Sequence, residues 1–237
     1  MPANDSDRLL LFDIDGTLLD AAGAGLSALT DATREIFEDD GPPLDLAGAT
    51  DWGLFRATCK TFGRADEEDL RAKFYDAYLA RLEQALNSPC FNVTLLPGAR
   101  KLIEELSNLP DVHLGILSGN IAAGSETKLA YFDLDHHFSF GAYGDDHYDR
   151  NQLGPIALRR AKEETGIKFT TSNIIIIGDT PKDINCAKAL GCSCLAVATG
   201  HFSNKELEEA GANQVAADLS ETETILSLLL GEAAELL

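Results

Sequence analysis

"LLLFDIDGTLLD", residues 9–20, places four apolar residues directly before two carboxylates, Asp13 and Asp15, and a Gly-Thr turn. A continuous apolar run of this kind is typical of a strand that is covered on both faces. Two carboxylates one residue apart repel each other unless a cation lies close to both. The stretch therefore predicts a buried strand that ends at a charged site.

Size and charge limit the class of protein. A chain of 237 residues can bury a full core, in one large domain or two small ones. Its 19 basic and 39 acidic residues give a formal charge of −20, which argues against a nucleic-acid or anionic-membrane partner. A small anionic substrate held by a metal stays compatible with this charge.

The termini and the cysteines carry little sign of an extracellular or membrane protein. No apolar run approaches the roughly 20 residues that span a bilayer, and the N-terminus lacks the pattern of a secretory signal. The five cysteines form no CxxC pair, so we expect neither a disulfide framework nor a zinc ribbon. The sequence predicts a cytoplasmic protein.

Strand-like and helical patterns alternate through most of the chain. Apolar runs after the first one predict strands at 112–117, 173–178 and 194–199, with a weaker candidate at 138–143. Apolar spacing of three and four residues predicts helices at 99–107, 121–132, 155–166 and 181–190. This alternation predicts a doubly wound α/β domain with a parallel sheet.

Residues 21–95 break the alternation, because their apolar spacing is helical in two segments, near 26–37 and 70–82. Between these segments lies "DDGPPLDLAGATDWG" (39–53), which is rich in turn formers. We therefore expect a helical cap at 21–95, inserted into a core formed by 1–20 and 96–237. The C-terminal stretch "ILSLLLGEAAELL" (225–237) either packs on the core, which we favour, or provides a dimer contact.

Polar residues follow several of the predicted strands. In an open parallel sheet, ligands bind just outside the carboxyl ends of the strands. The residues at that edge are Asp13, the run Ser118-Gly119-Asn120, and Asp179, with Asp15 and Asp183 close by in the chain. Carboxylates can converge in this way around a bound cation, and their oxygens suit Mg²⁺. The sequence thus predicts a magnesium site.

Simpler roles exist for some of these residues. Asp183 could only complete a capping box with Thr180, and Ser118 could only cap the helix that follows it. Residues 23–28 fit the dinucleotide pattern GxGxxA, but they follow no predicted strand end, which favours a helix start. The Asp and His residues of 131–150 favour a polar loop over a second metal site.

Three motifs together resemble those of one family. "DIDGT" (13–17), "ILSGN" (116–120) and "GDTPKD" (178–183) are similar to the motifs of the haloacid dehalogenase-like hydrolases, in particular the phosphoglycolate-phosphatase-like members. The resemblance covers residues 8–20 and 96–218, and the insertion occupies the place of the family's helical cap. It implies a Rossmann-like core and a Mg²⁺-dependent phosphatase.

The resemblance also implies a role for each motif residue. Asp13 would attack phosphorus to give an aspartyl-phosphate, and Asp15 would be the general acid and base. The Mg²⁺ would be held by the Asp13 carboxylate, the Asp15 carbonyl and Asp179, with Asp183 binding or supporting it. The phosphoryl oxygens would be held by Ser118, Gly119 and Asn120.

The family's catalytic lysine has no direct counterpart in this chain. In "DRNQLGPIAL" (149–158), Arg150 takes its place if Pro155 is aligned with the helix start. An arginine keeps the positive charge and can grip phosphate through two N–H groups. Lys162 and Lys168 are the alternatives, although their positions favour solvated side chains.

The stretch "GATDWGLFRA" (48–57) resembles the family's cap loop. Candidate substrate contacts in it are Thr50, Asp51, Trp52 and Arg56. Packing within the cap is the favoured alternative for Trp52, and a surface ion pair is the alternative for Arg56.

The functional prediction is a phosphatase that hydrolyses a small phosphorylated metabolite, with phosphoglycolate as the first guess. A phosphomutase on the same fold would share every motif, and a non-catalytic binding protein or a dinucleotide-dependent enzyme are further alternatives. We expect a monomer or homodimer whose partner is the small substrate rather than nucleic acid or membrane.

Overall fold

The computed structural model describes residues 1–4 and 6–231. The strands in these ranges are β1 (Arg8–Phe12), β2 (Leu19–Asp20), β3 (Thr94–Leu95), β4 (Val112–Leu117), β5 (Gly141–Ala142), β6 (Ile174–Gly178), β7 (Ser193–Val197) and β8 (Gln214–Ala216). The α-helices are α1 (Ala24–Phe37), α2 (Asp51–Thr61), α3 (Glu68–Leu86), α4 (Ala99–Ser107), α5 (Ala122–Ala130), α6 (Leu153–Thr165), α7 (Pro181–Leu190), α8 (Asn204–Glu209) and α9 (Thr222–Leu230).

Six strands form one parallel sheet in the order β5-β4-β1-β6-β7-β8. The central strand β1 has β4 on one side and β6 on the other, with Phe12 level with both Ile116 and Ile177. The strand order therefore reverses at β1, and the carboxyl ends of these three strands form a crevice of the kind that binds ligands. The prediction of a doubly wound α/β core is confirmed.

The alternation of side chains along β1 explains why the whole run is apolar. Leu10 and Phe12 lie in the larger buried cluster, together with helices of the inserted segment, whereas Leu9 and Leu11 lie in a second cluster on the opposite face. Successive side chains of a strand point to opposite faces, so a sheet covered on both faces needs apolar residues at every position.

The inserted segment is helical, as its spacing predicts. Helices α1 and α3 pack against each other, and their buried residues Leu29, Phe74 and Leu82 join the larger cluster. The short antiparallel pair of β2 and β3 brings the two ends of the segment together, with Leu19 opposite Leu95. The domain boundaries at 20 and 96 stay a prediction.

Helix α2 is a difference from the sequence-based expectation. It begins at Asp51, inside the stretch 39–53 that is rich in turn formers, because Thr50 caps it by accepting a hydrogen bond from the Gly53 N–H at 3.1 Å. A threonine N-cap of this kind satisfies one of the free N–H groups of the first turn. Trp52 and Arg56 are therefore helical residues rather than loop residues.

The C-terminal part of the described chain packs on the core. Ile225 and Leu229 of α9 are buried in the larger cluster, while residues 232–237 of the predicted C-terminal stretch lie outside the described residues. None of the helices in the described ranges combines the length and hydropathy of a bilayer-crossing segment.

Candidate active site

Three carboxylates meet at the carboxyl ends of β1 and β6. Asp13 follows β1, Asp179 follows β6, and Asp183 lies in the first turn of α7. All three are buried, and one oxygen from each lies within 4.8 Å of the others. Asp13 is fixed by its own N–H, which donates to the Ile177 carbonyl at 2.9 Å, and by the Ile14 N–H, which donates to its carboxylate at 2.8 Å.

The charged forms of these acids are costly where they lie. Burial raises the pKa of Asp13 to about 6, although Arg150 opposes the shift. Burial, together with the neighbouring Asp183 and Asp13, raises the pKa of Asp179 to about 8. Like charges in a desolvated site ionise together only if a cation compensates them.

The donor set fits a divalent cation. Carboxylate oxygens are the ligands that Mg²⁺ prefers, and the surrounding backbone and Thr17 hold the Asp179 carboxylate in place. The Thr17 hydroxyl donates to Asp179 at 3.3 Å, and a Cβ placed on Gly16 or Gly200 would lie 2.3 or 1.8 Å from Asp179 Oδ2. Gly16 also has a positive φ of 78°, which favours glycine. The backbone thus closes tightly around this carboxylate.

Arg150 is the buried cation of this carboxylate group. It lies in a 3₁₀ turn, Arg150–Gln152, that Asp149 caps just before α6. Its guanidinium lies 2.9 Å from Asp13 Oδ2 and also binds Asp183 Oδ1. Burial opposes its charge, but the two carboxylates outweigh that effect and raise the pKa of Arg150 above its ordinary value.

Arg150 lies in the site, at the position that the sequence comparison gives to the family's lysine. Lys162 and Lys168, the alternatives, are exposed. The catalytic role assigned to Arg150 stays a prediction.

Asp183 completes a capping box and also lies in the carboxylate group of the site, while its role toward a metal stays a prediction. Its Oδ2 accepts hydrogen bonds from the Thr180 N–H at 3.0 Å and from the Thr180 hydroxyl at 2.7 Å, which completes a capping box. Its other oxygen, Oδ1, faces Arg150. The cap therefore orients this carboxylate toward the site instead of diverting it.

The loop after β4 places Ser118, Gly119 and Asn120 at the same edge. Ser118 is buried, and its hydroxyl accepts hydrogen bonds from the Asn120 N–H at 3.3 Å and side-chain amide at 3.0 Å. It does not cap α5, whose N-cap residue is Ile121. The Asn120 amide also donates to Asp15 Oδ2 at 2.6 Å, so this loop is bonded to the motif at 13–17.

Lys128 is a site residue that the sequence reasoning missed. Its ammonium lies 2.6 Å from Asp15 Oδ2 and 2.7 Å from the side-chain oxygen Oδ1 of Asn120, and the residue is 3% exposed. The signal was its position in α5, because the buried residues of that helix include Gly124, Ser125, Lys128 and Leu129 at three- and four-residue spacing. A lysine on the buried face of a helix needs a charged partner.

Two of the four predicted cap contacts, Thr50 and Asp51, form hydrogen bonds with the core. The Thr50 hydroxyl donates to the Tyr148 carbonyl at 2.7 Å. The Asp51 N–H donates to the Gly119 carbonyl at 2.7 Å, and its carboxylate accepts from the Ile121 N–H at 2.9 Å. Burial raises the pKa of Asp51 to about 7. Asp51 lines the cavity described below, whereas Thr50 does not.

The other two predicted cap contacts, Trp52 and Arg56, lie outside the cavity. The Trp52 indole donates to Asp66 at 2.6 Å, and the Arg56 guanidinium stacks on the Tyr148 ring at 3.8 Å from its centre. The two residues are one helical turn apart and so share a face of α2, while Asp51 points to the core loop. Trp52 packs against the larger buried cluster, and the Arg56 guanidinium lies 3.5 Å from Asp66 Oδ2. Substrate contact by these two residues stays a prediction.

The remaining sequence alternatives gain no support from the arrangement. Gly23 is the N-cap of α1 and follows no strand of the six-stranded sheet, as expected of a helix start. Asp133, Asp135 and His136 come close enough to share an ion, but all are exposed, and exposed acidic groups are common without one. All five cysteines are free thiols.

The site opens into a cavity of about 600 Å³ between the sheet edge and the inserted segment. Its floor includes Asp13, Asp15, Asp179, Lys128 and Arg150. Asp15 is the accessible acid of this floor, since 40% of its side chain is exposed. A phosphoryl group entering here would meet a surplus of carboxylates, which is a second reason to expect a metal cation.

Comparisons with known proteins agree with this geometry. The model of the haloacid dehalogenase-like hydrolase family matches residues 10–197. Over 226 residues the chain is 26% identical to a phosphoglycolate phosphatase of Pseudomonas putida, covering 90% of this chain and 77% of the relative. Over 223 residues it is 27% identical to a phosphoglycolate phosphatase of Rhodospirillum rubrum, covering 90% and 88%.

A solved hydrolase from Pseudomonas syringae has the same fold, with a TM-score of 0.69, 20% identity and coverage of 94% of this chain and 99% of that one. The family match spans well over half of the chain and confirms the resemblance drawn from the three motifs, including the prediction that the protein is an enzyme. The chain belongs to the haloacid dehalogenase-like hydrolases.

Proposed function

We propose that this protein is a Mg²⁺-dependent phosphatase that hydrolyses a small phosphomonoester through a phosphorylated Asp13. The observation that carries the proposal is the convergence of Asp13, Asp179 and Asp183 on one buried point, with Arg150 bound to two of them. Phosphoryl transfer needs mainly positioning and charge stabilisation, and this arrangement supplies both.

In the first step, a carboxylate oxygen of Asp13 forms a bond to phosphorus and the bond from phosphorus to the ester oxygen breaks. Asp15 gives its proton to the departing ester oxygen, which leaves as an alcohol. Asp15 suits this role because it opens to the cavity while Lys128 and Asn120 hold its Oδ2 at 2.6 Å each.

In the second step, water attacks phosphorus and Asp15 accepts a proton from it. The bond from phosphorus to the Asp13 oxygen breaks, which restores the Asp13 carboxylate and releases orthophosphate. Asp15 ends this step with its proton, ready for the next ester. Ser118, Gly119 and Asn120 would position the phosphoryl oxygens, since their loop is bonded both to Asp15 and to the cap residue Asp51.

Asp13, Asp179 and the Asp15 carbonyl would hold the Mg²⁺, with Asp183 binding or supporting it. When bound, the ion supplies positive charge for the phosphoryl oxygens. Arg150 contributes separately by keeping Asp13 and Asp183 in place.

The names of the curated relatives support a phosphatase and make phosphoglycolate a first substrate to assay. Identities of 26% and 27% leave the ester itself open, so the assay needs a panel. A phosphomutase is the alternative outcome, since it would return the phosphoryl group to its substrate and release little free phosphate.

The test measures orthophosphate release from that panel, with Mg²⁺ and with EDTA. The Asp13→Asn variant runs beside Asp133→Asn, a matched change at an exposed carboxylate outside the site. We expect Mg²⁺-dependent release that falls roughly a thousandfold or more in Asp13→Asn and is native in the control. Release that survives both EDTA and Asp13→Asn would contradict the proposal, and an isomerised ester without free phosphate would indicate the mutase.

A further inference from the structure

The wall of the cavity that faces the carboxylates comes from the inserted segment and is largely apolar. Five leucines of this segment line it: Leu26 and Leu29 of α1, Leu44 and Leu46 of the following loop, and Leu54 of α2. The floor holds the chemistry, so this wall is what the organic part of an ester would contact.

Two of these leucines have a larger exposed fraction than most large apolar residues of this protein. Leu26 is 40% and Leu46 is 36% exposed. In the described part of the chain, the other large apolar side chains at least this exposed are Met1, Tyr131 and Tyr148. Apolar surface left open inside a concave site is surface that a ligand can cover.

The same wall offers no positive charge for an anionic group. Among the described residues of 21–95 that line the cavity there is no lysine, arginine or histidine, and two of them, Asp45 and Asp51, are acidic. Lys128 and Arg150, the lysine and the arginine that line the cavity, lie on its floor. Lys128 is already bonded to Asp15 and Asn120, and Arg150 to Asp13 and Asp183.

His201, an exposed residue after β7, also lines the cavity, but it lies outside the inserted segment. The chain as a whole carries a formal charge of −20, which further disfavours a second anionic group.

We infer that the organic part of the substrate is uncharged and partly apolar, rather than a carboxylate or a second phosphate. The inference rests on the proposed function, which places the phosphoryl group at Asp13. A cavity of about 600 Å³ also exceeds what a two-carbon ester fills, so phosphoglycolate would leave the leucines uncovered and bring its carboxylate to a wall without cations. The inference therefore disfavours phosphoglycolate, the first substrate predicted from the sequence.

The test is equilibrium binding of two phosphonates that no phosphatase step can cleave. In 3-methylbutylphosphonate and 3-phosphonopropionate, the chain ends in two methyl groups or in two carboxylate oxygens, so the molecules have nearly the same shape. Calorimetric titration with Mg²⁺ present should show at least about tenfold tighter binding of 3-methylbutylphosphonate. Equal or weaker binding of 3-methylbutylphosphonate, including no binding of either compound, would overturn the inference.

A charge placed on the wall should invert this preference. Leu26→Arg puts a cation beside the cavity, and Tyr131→Arg puts the same charge on an exposed apolar position that does not line it. We expect Leu26→Arg to shift the ratio of the two affinities about tenfold or more toward 3-phosphonopropionate, and Tyr131→Arg to leave the ratio unchanged. The same shift in both variants would contradict a role for this wall.

Binding separates the two claims because it does not depend on turnover. If the protein releases no phosphate from any ester but binds 3-methylbutylphosphonate more tightly, the proposed phosphatase chemistry is refuted and the inference about the uncharged organic group stands. If the protein releases phosphate but binds 3-phosphonopropionate more tightly, the proposed phosphatase chemistry is supported and the inference about the uncharged organic group is refuted.

Discussion

Arg150 and Lys128 show how single buried cations organise the acids of this site. Each lies against two side chains that the three motifs contribute, Arg150 against Asp13 and Asp183, and Lys128 against Asp15 and Asn120. A buried ion pair is costly to break, because the partner that remains keeps an uncompensated charge away from water.

Replacing Arg150 with alanine should therefore affect stability as well as activity. Without Mg²⁺ at neutral pH, we expect Arg150→Ala to lower the free energy of unfolding by about 3 kcal/mol or more, and Arg150→Lys by clearly less. Urea denaturation of both variants measures this, with the exposed Lys162→Ala as the control. A native-like midpoint for Arg150→Ala would show that Arg150 is not the cation these carboxylates depend on.

Replacing Lys128 with methionine keeps an unbranched side chain that is one atom shorter and removes its charge. Asp15 would then lose one of its two partners, so we expect kcat to fall roughly ten- to a hundredfold while the Mg²⁺ requirement persists. Steady-state kinetics on any accepted ester checks this, with Lys101→Met, on the exposed side of α4, as the matched control. Unchanged kcat in Lys128→Met would exclude a positioning role.

Among single residues, the sequence predicts the site residues that belong to local motifs. Asp13, Asp179 and Asp183 could be placed together because each follows or closely follows a strand end. Lys128 was not found, since its partners are 8 and 113 positions away in the chain. The resemblance to a cap loop makes Trp52 and Arg56 candidate substrate contacts, whereas the structure places both in helix α2 and neither of them lines the cavity.

The N-terminus of helix α7 stabilises the helix and also contributes to the site. It starts with a capping box in which Thr180 and Asp183 bond reciprocally, and Pro181 occupies its first turn. Helix α8 starts with an equivalent box formed by Ser203 and Glu206, which are exposed and do not line the cavity. The two boxes form a natural pair of test and control.

Thr180→Ala and Ser203→Ala should each lower the free energy of unfolding by about 1 kcal/mol, since each removes one N-cap hydroxyl. Thr180→Ala should in addition weaken Mg²⁺ binding, because Asp183 loses a bond of 2.7 Å that orients it. Denaturation curves and Mg²⁺ titrations of both variants test this pairing. Equal Mg²⁺ affinity in the two variants would show that the Thr180 hydroxyl does not affect the metal site.

Apolar patterns predict most of the longer strands and helices, with the 11-residue helix α2 as an exception, and they do not predict the shortest strands. The five-residue and six-residue strands β1, β4, β6 and β7 and the helices α4 to α7 were predicted within a few residues of their observed limits. Strands β2 and β3 have two residues each, too few to show any period, and β8 has three that are only partly buried. Their pairing is decided by tertiary contacts that no local pattern records.

For the whole molecule, the buried acids connect stability to pH and to the metal. Asp13 and Asp179 have pKa values raised to about 6 and about 8, against an ordinary value of 3.8. Between the ordinary and the raised values the folded protein binds more protons than the unfolded chain does. Without metal, the free energy of unfolding should therefore fall as the pH rises through this window.

Mg²⁺ should oppose that fall, because it binds the ionised carboxylates. We expect Mg²⁺ to raise the Tm more at about pH 8 than at about pH 5.5, and Asp179→Asn to lose most of this difference. Thermal unfolding with Mg²⁺ and with EDTA at the two pH values measures it. A Mg²⁺ shift that is the same at both pH values would argue against a site built on these carboxylates.

The central claim is that Asp13 carries the phosphoryl group during turnover, and acid quenching tests it most directly. The protein is mixed with Mg²⁺ and the best ester of the panel, quenched in acid within the first turnovers, digested and examined by mass spectrometry. We expect one phosphoryl group on Asp13 in the native protein and none in Asp13→Asn. Sustained phosphate release with no label on Asp13, or with the label on another residue, would contradict it.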